Sequence, residues 1–170
     1  MRNIAFLFLS AILLAGCGEY QKVLKSGDPA FKFTKAVEYY EAGQCNKAYP
    51  LFDELMSAYR GTTRAQEVYK FYAQTLYCQK DYILAGYHFK RFSQTFPNHE
   101  FASEAAYRAA YCFYLEAPVA SLDPAYTYKA MDELQLFINT HEGSPYIPEA
   151  NGYIDELRER LEKKAFDIAK

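Results

Sequence analysis

Residues 35–55, KAVEYYEAGQCNKAYPLFDEL, and residues 72–92, YAQTLYCQKDYILAGYHFKRF, match when laid one above the other at an offset of 37 residues. Ala36 falls on Ala73, Tyr40 on Tyr77, Ala48 on Ala85, Phe52 on Phe89 and Leu55 on Phe92. A second shift of the same size reaches Ala110 and Tyr114 and carries Glu67 onto Glu104. The spacing then changes. From first to second small residue it is 12 residues in the first two units and 20 in the third, where Ala130, Leu134 and Phe137 arrive late. The additional eight residues surround Pro118 and Pro124, so they read as a longer loop between two helices. Self-similarity at this period is the mark of stacked supersecondary units, each too small to bury its apolar face alone.

Ala, Glu, Lys, Leu and Tyr recur at helical spacing through most of the chain and alternation with period two is absent, so the fold class is all-α. Each unit carries a small residue on its first helix and Ala-x3-large-x2-large on its second. This resembles the tetratricopeptide (TPR) signature, in which small residues let paired helices approach and large ones fill the gap to the next pair. The expectation is a TPR-like α-solenoid of antiparallel helix hairpins over residues 29–170, with repeats at about 29–62, 66–98 and 103–142 and the start of a fourth at 148–170. Ala42-Gly43-Gln44 and Gln79-Lys80-Asp81 suit the turns, Phe96-Pro97-Asn98 closes the second unit, and Asp28-Pro29 reads as an N-cap followed by proline at the first helical position. Pro148 suits the same role for a last helix with Ala150, Ile154, Leu157 and Leu161 on its apolar face. Ala165-Phe166-Asp167-Ile168-Ala169 is still apolar, which suggests a fragment or a shortened member of a longer array.

The other end of the chain carries a targeting signal. Arg2 supplies a positive start, and Ile4 to Leu14 is an apolar run too short for a bilayer, which takes about 20 residues. Leu14-Ala15-Gly16-Cys17 resembles a lipobox, so residues 1–16 read as a lipoprotein signal peptide, Cys17 as the lipidation site and residues 17–28 as a lipidated tether. An extended tether of that length spans at most ~40 Å. Multiple acyl chains on Cys17 make the membrane anchoring effectively permanent. Gly18, not Asp, follows the cysteine, which argues against retention at an inner membrane. Removing residues 1–16 takes away Arg2 alone among the charges, leaving 18 basic and 21 acidic residues and a formal charge of −3. With no basic stripe, nucleic acid is not an expected partner.

Chemistry finds little foothold. His88, His99 and His141 lack metal-ligand spacing, no cofactor is implied, and phosphate loops, nucleophile elbows and clefts with paired carboxylates are missing, so no enzyme is expected. Beyond Cys17 stand Cys45, Cys78 and Cys112. Three small buried thiols are the expectation, with one disulfide across adjacent repeats as the alternative.

Tyrosine is the informative residue: the chain holds 17 Tyr and 13 Phe and no Trp. First helices line the concave side of a TPR stack. The repeat frame places Phe33, Val37 and Tyr40 there in the first unit, Lys70, Gln74 and Tyr77 in the second, and Tyr107, Arg108, Tyr111 and Tyr114 in the third. A tyrosine ring with a polar tip suits the holding of aromatic peptide side chains in water. Tyr40, Tyr77 and Tyr114 equally suit packing between repeats, because a core ladder is periodic too.

With the lipobox, the short tether, the aromatic repeats and the run Tyr153-Ile154-Asp155-Glu156-Leu157-Arg158-Glu159-Arg160-Leu161, the chain resembles the BamD family. These are TPR lipoproteins of the outer-membrane β-barrel assembly machine, and the short tether and extra tyrosines look like its Bacteroidota branch. The resemblance implies a non-enzymatic protein at the periplasmic face of the outer membrane. Its implied partners are the barrel-forming subunit of the machine, unfolded outer-membrane proteins recognised by an aromatic-ended signal, and membrane lipid through Cys17. Family members carry about five repeats and dock the barrel subunit through the C-terminal ones, so that docking is less supported here. A glycan-binding nutrient-uptake TPR lipoprotein and a general envelope scaffold are the alternative readings.

Overall fold

The computed structural model of the protein describes residues 18–117 and 124–169. The expected signal peptide and Cys17 lie outside the described residues, as do positions 118–123 of the expected long loop. Among the described residues there are eight helices and no strand: α1 (residues 18–25), α2 (Pro29–Glu41), α3 (Cys45–Ala58), α4 (Ala65–Cys78), α5 (Tyr82–Thr95), α6 (Ala102–Glu116), α7 (Ala125–Thr140) and α8 (Ile147–Ile168). The fold class is all-α and TPR-like. No described helix is long and apolar enough to cross a membrane. The chain divides into two compact units, one ending at Thr75 and one starting at Leu76, with the division inside α4.

The turns show why the chain folds back where it does. Gly43 ends α2 with φ +69°, its N–H donating to the Tyr40 carbonyl and the Gln44 N–H to the Tyr39 carbonyl. Thirty-seven residues on, Lys80 ends α4 with φ +63°, Lys80 N–H donating to Tyr77 and Asp81 N–H to Leu76. Both are the left-handed helix stop that satisfies the last carbonyls and reverses the chain. Asp81 then caps α5 through the Leu84 N–H. In the third unit the equivalent residue, Ala117, is extended (φ −66°, ψ 122°), so α6 ends without that turn.

In the first unit, Asp28 caps α2, its carboxylate accepting from the Ala30 and Phe31 amides ahead of Pro29. Ala36, Ala48 and Ala73 are fully buried, which removes side-chain bulk where helices meet, while Leu51, Phe52, Leu55 and Val68 fill the remaining space. Phe52 and Phe71 lie parallel at 5.5 Å. Lys32 is buried to 4% exposure and bonds Glu54 across the α2–α3 hairpin.

The second unit packs α5 on α6, α6 on α7 and α7 on α8, with α8 also touching α6. Its core runs through Ala110, Ala130, Leu134, Phe137, Ala150, Ile154 and Leu157, with Phe89 and Phe92 fully enclosed. Burying each such ring or Leu contributes about 1.5–3 kcal/mol before conformational entropy is subtracted. At Gly86, α5 comes so near α6 that an added Cβ would stand 3.0 Å from the Cys112 Cβ.

Within the expected tether, residues 18–25 form a helix: Tyr20, Val23 and Leu24 share one face, and Val23 is buried to 1% exposure. The expectation of three buried thiols is corrected: Cys45 and Cys78 are each disulfide-bonded, and among the described residues Cys112 alone is a free, buried thiol.

Candidate functional site

The residues picked out by the repeat frame fall into both units. In the first, Phe33 is buried among Phe52 (6.2 Å between ring centroids), Phe71 (6.0 Å) and Tyr59 (6.5 Å), with the Arg64 guanidinium 5.3 Å over its ring. Little of that ring is left to offer a ligand. Tyr40 meets the edge of Phe71 at 5.6 Å, and the Lys70 ammonium lies 6.0 Å over the same ring, so Phe71 joins Phe33, Tyr40 and Lys70. Tyr40, Lys70 and Gln74 are half-buried.

The second unit brings its members closer together. Tyr107, Tyr111 and Tyr114, spaced four and three residues apart, form one stripe on α6. Tyr107 stacks on Tyr111 at 5.9 Å and 12°, and Tyr111 on Tyr114 at 5.6 Å and 14°. Helix α8 and the residue before it add two rings the repeat frame missed. Tyr146 lies parallel to Tyr107 at 4.7 Å and 6°, and Tyr153 stands 4.8 Å from Tyr111 and 4.3 Å from Tyr114. The five rings make one continuous ladder. Tyr107 is its buried base, at 6% exposure, while Tyr111, Tyr114, Tyr146 and Tyr153 are half-buried. Beside it, Arg108 bonds Glu104 at 2.7 Å and holds its guanidinium 5.6 Å over Tyr77.

The hydroxyl tips are tied down. Tyr114 donates to the Glu156 carboxylate and accepts from Arg160 Nη2 at 2.8 Å, and the same guanidinium sits 4.9 Å over the Tyr114 ring. Tyr153 donates to Glu149 at 3.1 Å. Burial, then a hydrogen bond to Glu149, pushes the Tyr107 phenol far above its ordinary range. Burial leads at Tyr153 too, followed by the bond to Tyr111, and at Tyr146, followed by the charge of Glu104. All therefore stay neutral and act as donors at ordinary pH. Rings so held lose little freedom when something is laid on them.

A signal for the missed residues was present. Tyr146, Glu149, Tyr153, Glu156 and Arg160 follow one another at three, four, three and four residues, a single helical stripe next to the apolar one. Among the described residues no cluster of three or more His, Cys, Asp or Glu side chains could hold a metal ion. What the site presents is an aromatic, hydrogen-bonding surface.

Helical hairpins stacked in this way define the class: an all-α, TPR-like helical-repeat protein. The YfiO family model, described as outer membrane lipoprotein, matches residues 26–170, and the chain belongs to that family. The match agrees with the BamD-like resemblance carried by the sequence. No curated protein matches the chain.

Proposed function

We propose that the protein is an outer-membrane protein assembly factor. It is anchored by lipid on Cys17 at the periplasmic face of the outer membrane, binds unfolded β-barrel outer-membrane proteins, and passes them to the barrel-forming subunit of the assembly machine. Its work is binding and release, with no chemistry done on the client. The observation that carries this reading is the tyrosine ladder of Tyr146, Tyr107, Tyr111, Tyr153 and Tyr114. Membrane β-strands are rich in aromatic side chains at their two interfaces, and before insertion those rings need a partner that is itself soluble. Tyrosines with occupied hydroxyls meet both demands: the ring supplies apolar area, and the tip keeps the empty face wet.

Tyr111, Tyr114 and Tyr153 are the principal contacts, Tyr77 and Arg108 extend them within the second unit, and Tyr107 supports the ladder from beneath. Tyr40, Lys70 and Gln74 are the corresponding contacts of the first unit, with Phe33 packed behind them. Affinity on the order of micromolar fits a module that must order a flexible chain and then let it go. A photo-crosslinking residue at Tyr111 or Tyr77, with the trapped partners identified from living cells, tests the assignment. Nascent barrel proteins are the expected catch; sugars alone, or only stably folded envelope proteins, would overturn it.

A further inference from the structure

The segment that follows Cys17 is a docked strut with no slack in it. Helix α1 runs back along α2: Tyr20 of its first turn meets Tyr39 of the last turn of α2 edge-on at 5.4 Å, and Glu19 reaches Lys35 at 3.8 Å. The Tyr20 hydroxyl donates to the Lys47 carbonyl in the first turn of α3, and the Lys47 ammonium lies 5.8 Å over Tyr20 and 5.4 Å over Tyr39. Val23, one turn further along α1, is buried to 1% exposure. The start of α1 therefore sits at the pole of the first unit that carries the Ala42-Gly43-Gln44 turn, and Cys17 directly precedes it in the sequence. Half-buried tyrosines with polar tips and a lysine ammonium lying over their rings form a side-chain set that tolerates a bilayer interface.

We infer that this pole, made of the first turns of α1 and α3 and the α2–α3 turn, rests on the phospholipid headgroups, with α1 as the strut that holds it there. The inference rests on the proposed lipidation of Cys17. It sets the opposite pole, residues 59–64, farther from the bilayer by roughly the length of α2, about 20 Å.

The test uses the lipidated full chain in phospholipid vesicles, with a fluorophore on Glu41→Cys or on Thr63→Cys and a quencher on the lipid headgroups. Cys112 is buried and does not compete for the label. Quenching several-fold stronger at position 41 than at 63 is expected. A flexible insertion of about ten Gly and Ser residues between Cys17 and Gly18 should bring position 41 down to the level of 63. Equal quenching in the uninserted chain, or no change on insertion, overturns the docked pole while leaving the anchor intact. Vesicle flotation of a Cys17→Ala variant separates the two readings: if it floats as well as the parent chain, the lipid anchor itself is wrong and the pole falls with it.

Discussion

Cys112 shows what burial does to a single group. Desolvation, opposed by Arg108 and helped by Glu116, pushes its thiol from 9.0 up to about 12. Tyr107 and Tyr153 are raised as well, chiefly by burial. An acid whose folded pKa lies above its unfolded one keeps its proton longer in the native state, so the stability it contributes is whole below the unfolded pKa and is lost as pH climbs through the folded one. The protein should therefore lose stability steadily from about pH 9 upward. Urea midpoints at pH 8, 9.5 and 10.5 check this. Cys112→Ala should shift all midpoints but flatten the alkaline slope, and Tyr107→Phe should flatten it further above pH 10. A slope unchanged in both variants would contradict the burial account.

At the scale of the element, the period of 37 residues was legible because the small and large residues it pairs, such as Ala36 with Ala73 and Phe52 with Phe89, are the ones packing buries. Less was legible where a second stripe or a non-local contact decides. Tyr146 and Tyr153 share a helix face beside the apolar one, so a frame carried on buried alanines passed over them. Helix α1 was hidden by its place after a lipobox, although Tyr20, Val23 and Leu24 already had helical spacing. The oxidised state of Cys45 and Cys78 could not be read from spacing, since a disulfide depends on distance in space. Periodicity itself makes a prediction. The turn that Gly43 makes at φ +69° is made by Lys80 at φ +63°, where a side chain is strained. Lys80→Gly should stabilise the protein by roughly 0.5–1 kcal/mol, read as a raised urea midpoint at unchanged cooperativity. A lower midpoint would mean that the Lys80 side chain contributes more than its backbone costs.

The whole molecule belongs to a family of outer membrane lipoproteins and carries a ladder of five tyrosine rings in its second unit. The full sequence carries a formal charge of only −2, so on the proposed function the binding of clients comes mainly from rings and hydrogen bonds. On that function the tyrosine ladder carries the binding of clients. Each aromatic contact adds about 0.5–1.5 kcal/mol beyond its buried area, so two lost rings amount to roughly tenfold or more in affinity. The direct measurement is a fluorescence anisotropy titration of a labelled, unfolded barrel protein, comparing the parent chain with Tyr111→Ala/Tyr153→Ala while circular dichroism verifies the fold of both. The account predicts a dissociation constant on the order of micromolar for the parent and at least about tenfold weaker binding for the folded variant; equal affinity in the two would contradict it.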